Sequence, residues 1–165
     1  MDEVPEGVKF APQTRRAPRP TATMTLTRDG PQGVEVLLGL RSVTMRAFPN
    51  YWAFPGGGVS SVDRKAVEAH PSLAGHEAAA VACIMREMSE ELGLAAKGAG
   101  VVALDGVDRE AIVQDKAQWL PRSLEGNFPV DRERIRVLSH RITPPFGPVQ
   151  FDNASVSYTH LRAHE

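Results

Sequence analysis

The sequence predicts one mixed α/β domain of the α+β kind. Three observations carry that reading: a hairpin-like pair of apolar runs near the start, one strongly periodic helix in the middle, and further short apolar runs after it. The 165 residues, 42% hydrophobic and 24% charged, suit a single domain with one sizeable core. Nineteen basic against 20 acidic side chains leave a net charge of -1, so no general field exists to hold a nucleic-acid backbone or an anionic membrane. Phosphate recognition must therefore be local, and neither a nucleic-acid nor a membrane partner is expected. Cys83, the single cysteine, excludes an internal disulfide framework. No apolar run approaches the roughly 18 residues of a membrane span, and no export signal is recognisable, so a cytoplasmic protein is expected. Oligomeric state is left open.

In chain order, residues 1–20 hold four prolines and no apolar period, which predicts a flexible arm before a domain over residues 21–155. Residues 21–27 alternate Thr with Ala, Met and Leu. Asp29-Gly30-Pro31-Gln32-Gly33 is turn chemistry, and residues 34–40 form a second apolar run, so the two runs predict a hairpin. A third short strand over residues 52–58 breaks at Pro55-Gly56-Gly57-Gly58. From about residue 76 to 92 the period becomes helical, with Val81, Ile84, Met85, Met88 and Leu92 on one stripe and Gly93 in the place of a left-handed C-terminal cap. Beyond it, residues 101–104 predict a strand, 109–120 a helix and 134–142 an apolar segment that runs into Pro144-Pro145.

The central helix carries the chemistry. At 100° per residue Glu87, Glu90 and Glu91 fall within about a 100° sector, and the apolar stripe is centred elsewhere. Like charges at three- and four-residue spacing cost about 0.2–0.5 kcal/mol per pair, and carboxylates in a last turn face the negative end of the helix dipole. A solvated acidic face is the plain reading. The alternative is a hard-cation site, where clustered carboxylate oxygens suit Mg2+ or Mn2+ and the ion offsets their repulsion.

Context separates these readings. Arg86-Glu87-Met88-Ser89-Glu90-Glu91-Leu92-Gly93-Leu94 matches, at every specified position, the second half of G-x(5)-E-x(7)-R-E-U-x-E-E-x-G-U, where U is a bulky aliphatic residue. The chain thereby resembles the Nudix hydrolases, and Trp52-Ala53-Phe54-Pro55-Gly56-Gly57 looks like that family's strand and glycine turn before the motif. The resemblance implies an α/β/α sandwich around a mixed sheet and metal-dependent hydrolysis of a diphosphate linkage. It implies Glu90 and Glu91 as principal metal ligands, with Glu87 as a further ligand or the group orienting the water. Arg86 would hold the glutamates, and Gly56 and Gly57 would let backbone approach the metal and phosphates. Glu87, Arg86 and Glu90 are thus the candidate catalytic residues, and Gly57 joins the three glutamates as a candidate metal contact.

Two departures stand out. The pattern puts its Arg 14 residues after its first Gly, but Gly57 and Arg86 are 29 apart, an insertion of 15. Residues 59–75 are read as that inserted loop. Counting back from Arg86, the first-half glutamate falls at Ala78, with Glu77 one residue off as a possible substitute.

An interrupted motif of this kind resembles the branch that hydrolyses coenzyme A (CoA) and acyl-CoA. That branch carries L-L-T-x-R-[SA]-x(3)-R-x(3)-G-x(3)-F-P-G-G. Leu37, Leu38, Arg41, Ser42, Arg46 and Phe54-Pro55-Gly56-Gly57 keep its spacing, with Gly39 for Thr and Asn50 for Gly. The resemblance implies a CoA-type substrate, with Arg41 and Arg46 clamping phosphate oxygens. A dinucleotide or nucleotide sugar as substrate, or a ligand-binding module without catalysis, are the competing expectations. Finally, residues 156–165 resemble a translated sequencing-library adapter. They are expected to carry neither fold nor function, which sets aside His160 and His164 as ligands and leaves the domain short of a core strand after about Ser155.

Overall fold

The computed structural model describes residues 17–45, 48–70, 77–97, 100–123, 135–144 and 149–160. Its spine is β1 (Arg19–Gly30), where the Thr/apolar alternation works as read: Ala22, Met24 and Leu26 are buried while the threonines between them face the other side. The strand begins at Arg19, within the stretch expected to be an arm, because the Arg19 amide donates to Gln150 O at 2.9 Å. Gly30 pairs with Gly33, whose φ of +122° closes the turn into β2 (Gly33–Val36).

The second apolar run does not continue as one strand. Residues Gly39–Leu40 form β3, which pairs with β4 (Trp52–Ala53) in a separate two-stranded sheet. β5 (Gly56–Gly58) then returns to β1 at Thr21–Thr23, on the same edge that β2 uses further along.

The other edge of β1 is taken by β9 (Phe151–His160), running parallel, and β9 in turn pairs antiparallel with β8 (Ile135–Ile142). The sheet is therefore mixed, in the order β2-β1-β9-β8 with β5 also on β1, as the α+β expectation requires. Here the structure corrects the reading of the tail. Residues 156–160 are the second half of β9, paired between β1 and β8, not a segment without fold. Val156 and Tyr158 are buried beside Met24 and Leu26, their register partners. Full burial of such side chains contributes about 1.5–3 kcal/mol each. Residues 161–165, with His164, lie outside the described residues.

A second correction concerns the insertion. Residues 61–69 are a helix, α1 (Ser61–Ala69), rather than loop. Its start is stabilised by the Ser60 amide and hydroxyl, which both donate to Asp63 Oδ2 at 2.7 and 2.9 Å. Residues 71–76 lie outside the described residues.

The periodic segment gives α2 (Ala78–Glu87), which packs on β1, β9 and α1. Its last turn, Met88–Leu92, widens to a π-helix, and Gly93 caps it at φ +65°, as read from the sequence. β6 (Leu94–Lys97) and β7 (Gly100–Ala103) form a hairpin; β6 escaped the sequence reading because Leu-Ala-Ala-Lys has little β propensity.

The helix expected over 109–120 divides. α3 (Gly106–Gln114) starts earlier, where the Asp105 side chain accepts the Asp108 amide, and a 3-10 turn over Lys116–Gln118 leads into α4 (Trp119–Ser123). Ile112 and Trp119 are fully buried in the core that Ile84, Met85 and Met88 also fill. No described helix is long and apolar enough to cross a membrane.

Candidate functional site

The organising residue is Arg86, on the last turn of α2 and only 1% exposed. Its Nε and Nη2 donate to the two oxygens of Asp63, at 2.8 and 3.1 Å, as a bidentate fork. Nη1 donates to Glu87 Oε1 at 2.9 Å and Glu90 Oε2 at 3.0 Å, and Nη2 also reaches Gly58 O at 3.1 Å. Burial alone opposes the charge, but Asp63, Glu87 and Glu90 raise the guanidinium pKa above its ordinary value. One cation thus ties together α1, the glycine strand β5 and two of the three glutamates.

Asp63 is the residue that sequence reading missed. It is fully buried and hydrogen-bonded to Arg86 and Ser60. Two signals pointed to it. Ser60-Ser61-Val62-Asp63 is a capping-box pattern. Counting forward from Gly57, the place of the motif's first acidic residue is position 63, so the 15 extra residues lie between Asp63 and Arg86. Glu77, considered as the substitute, sits elsewhere: its Oε1 is 2.7 Å from His140 Nε2 on β8.

The glycine strand meets the carboxylates directly. A side chain on Gly57 would run into the Glu87 carboxylate, and one on Gly56 into the carbonyl oxygen of Ala22; Gly56 also has φ +155°. The Gly56 amide donates to Glu91 Oε2 at 3.3 Å. Gly57 O accepts the Cys83 thiol at 3.6 Å, so the approach of Gly57 to the glutamates is through its bare Cα. Cys83 itself is inert: burial, and next Asp63, push its pKa up to about 12.

The three glutamates differ. Glu87 is buried at 8% exposure, and its pKa is raised by that burial against the opposing pull of Arg86. Glu91 is raised by loss of solvent and then by the Glu87 charge, while Gly56 N–H and Arg41 lower it. Glu90 shares Oε2 between Arg86 and Lys116 Nζ, the latter at 3.1 Å, and its Oε1 is buried without a hydrogen-bond partner. Lys116 was not anticipated; a lone lysine in a helix pattern carries no positional signal.

Among the described residues no three acidic, histidine or cysteine side chains close around one point as a finished coordination shell. The donor set nevertheless fits a hard cation. It consists of carboxylate oxygens, includes a buried oxygen with no partner, and holds two carboxylates whose charge burial disfavours.

Of the two arginines read as phosphate clamps, Arg41 is half-buried and its charge acts on Glu91. Its amide is held by Tyr51 O at 2.9 Å and its carbonyl by the Asn50 amide at 3.1 Å. Asn50, the departure from Gly, has φ +60°, the left-handed conformation that Asn tolerates. Arg46 lies outside the described residues.

Comparison with known proteins bears on the family and the fold. The family model described as NUDIX domain matches residues 17–138. The fold is similar to that of a NUDIX hydrolase from Alicyclobacillus acidocaldarius, with a TM-score of 0.68 and 24% identity over 90% of this chain and 73% of that one. Two weaker similarities are to the Nudix hydrolase RenU from M. Smegmatis (TM-score 0.44, 18% identity, 87% of this chain and 62% of that one) and to the NUDIX domain of Shewanella oneidensis NrtR complexed with ADP ribose (TM-score 0.44, 15% identity, 94% and 68%). No curated protein matches the sequence.

Proposed function

Because the chain belongs to the Nudix family, whose members are generally hydrolases of diphosphate linkages, we propose that it is a divalent-cation-dependent diphosphatase acting on a nucleoside diphosphate derivative, with CoA or acyl-CoA as its substrate. The observation that carries the hydrolase reading is the junction at Arg86, which gathers Glu87 and Glu90 against a glycine strand that also engages Glu91. A ligand-binding module has no need of three carboxylates held against their own repulsion.

In this reading Glu87, Glu90 and Glu91 would hold Mg2+ or Mn2+, which would supply Lewis acidity and make water more acidic. Gly57 leaves space for the Glu87 carboxylate, and its carbonyl, which accepts one weak thiol contact, keeps a second lone pair for the cation. Arg86 keeps Glu87 and Glu90 aimed. Glu87, beside the glycine strand, orients the water. Water adds to one phosphorus and gives up a proton to solvent, the bridging P–O bond breaks, and its electron pair leaves with the bridging oxygen, giving two phosphate monoesters. From CoA the products are 3',5'-ADP and 4'-phosphopantetheine.

The CoA assignment rests on Arg41, whose charge acts on Glu91, and on the sequence spacing it shares with Arg46, five residues on. Turnover of CoA, acetyl-CoA, NADH, ADP-ribose and nucleoside triphosphates with Mg2+ or Mn2+ tests it. CoA compounds are expected to have the highest kcat/KM, and Arg41→Ala to raise their KM about tenfold or more, the loss of a charge-assisted hydrogen bond. Preference for a dinucleotide or sugar nucleotide would overturn the substrate while leaving the chemistry.

A further inference from the structure

Glu90 Oε2 accepts from two cations of opposite character. Arg86 is buried and locked, its fork closed on Asp63 and its Nη2 also donating to Gly58 O and Cys83 Sγ. Lys116 has a side chain 55% exposed, yet its Nζ stands 3.1 Å from the same oxygen. Its backbone is fixed on both sides. Asp115 accepts the Ala117 amide at 3.0 Å and the Gln118 side chain at 3.3 Å, and Trp119 is fully buried just beyond. The 3-10 turn therefore delivers a lysine to the carboxylates on a rigid base and leaves only its flexible stem to move.

A divalent ion taking Glu90 as a ligand must compete with whatever already neutralises it. Arg86 cannot leave without stranding Asp63 as a buried unpaired charge. Lys116 can leave for water at lower cost than Arg86, because its own side chain is largely exposed whereas Arg86 is buried. Its charge also acts on Glu87. Tethered there, a displaced ammonium stays within a side chain's length of any phosphate bound at the glutamates.

Building on the diphosphatase reading, we propose that Lys116 is the movable cation of this site: it occupies Glu90 until a divalent ion is bound, and then turns to a non-bridging oxygen of the diphosphate. It positions substrate in the loaded enzyme and shields the glutamates from one another in the empty one. Arg86 has the structural role and Lys116 the exchangeable one.

Lys116→Met and Lys116→Arg test this in the full chain. Free Mn2+ is measured by electron paramagnetic resonance without substrate, and kcat and KM are then measured at saturating Mn2+ with CoA, NADH and ADP-ribose. Lys116→Met is expected to bind Mn2+ about two- to fivefold more tightly, having lost the competitor. Its KM is expected to rise about tenfold or more with a smaller change in kcat, and Lys116→Arg to restore most of the KM. Mn2+ affinity unchanged or weakened in Lys116→Met, or an unchanged KM, would overturn the proposal. The Mn2+ titration needs no substrate, so the two readings fail differently. A wild-type chain that binds no Mn2+ overturns the metal site and the lysine's role together, whereas wild-type binding with an unaltered Lys116→Met rejects the lysine alone.

Discussion

Asp63 and Arg86, 23 positions apart, form a fully buried two-bond fork that bridges α1 to the helix of the glutamates. In the family's motif the corresponding positions are eight apart. The 15 inserted residues therefore bulge out between two partners that still meet. Lengthening a connection adds only a slowly growing entropy cost, whereas losing a buried ionic partner costs far more.

The fork predicts an unequal response to mutation. Asp63→Ala strands Arg86 as a buried charge and should destabilise the protein by about 3–5 kcal/mol in urea unfolding. Asp63→Glu retains the charge and should recover part of that loss. A loss below about 1 kcal/mol for Asp63→Ala would mean that Arg86 is held by Glu87 and Glu90 alone.

Gly57 has a steric test. Gly57→Ala puts a methyl group into the Glu87 carboxylate, so Glu87 must turn away. Mn2+ affinity and activity should fall together by about tenfold or more, with a smaller change in thermal stability. Gly56→Ala instead strikes the β1 backbone at a φ of +155°, and should lower the melting temperature first.

The glutamates make stability depend on pH and on metal. Glu87 and Glu91 both have pKa values raised above the ordinary 4.5, first by burial. A carboxyl raised on folding adds stability that is complete below pH 4.5 and is lost as pH rises through the raised value. The metal-free protein should thus be weakened by these two groups at neutral pH. Divalent ion must displace their protons, so its apparent affinity should rise with pH across the mildly acidic range. Calorimetric titration in buffers of different ionisation enthalpy reads the proton release; none at pH 5 would contradict the shifts.

Substituting Glu91→Gln removes one repelling charge. Its melting temperature without metal should equal or exceed that of the parent at pH 7.5, while the increase caused by Mn2+ shrinks and hydrolysis is largely lost. Full activity in Glu90→Gln and Glu91→Gln would remove the proposed metal site.

A second pH effect comes from the edge of the sheet. His140 lies 2.7 Å from Glu77 and 3.6 Å from Asp152, and the Glu77 hydrogen bond raises its pKa. The sign is that of a cation gaining partners: the contribution is complete below pH 6.5 and is lost as pH rises through the raised value. Melting temperatures of His140→Gln should therefore diverge from the parent at pH 6 and converge above pH 8.

Local patterns in the sequence were enough for what depends on neighbours along the chain. The alternation in β1, the stripe of α2, the left-handed cap at Gly93 and the tolerance of Asn50 for positive φ are short-range matters of dihedral preference and period. The acidic motif itself is also local, because residues three and four apart share a helix face. What counting could not decide was where an insertion falls between two ends of a spaced pattern. Measured back from Arg86 the acidic place fell at Ala78 and Glu77; only the folded chain shows Asp63 on the guanidinium and Glu77 on His140. The same holds for residues 156–160, whose alternation is too short to announce a strand and is decided by pairing with β1 and β8. Lys116 reaches Glu90 across 26 positions through a turn and a buried tryptophan. Contacts of that range depend on packing, which no window of sequence contains.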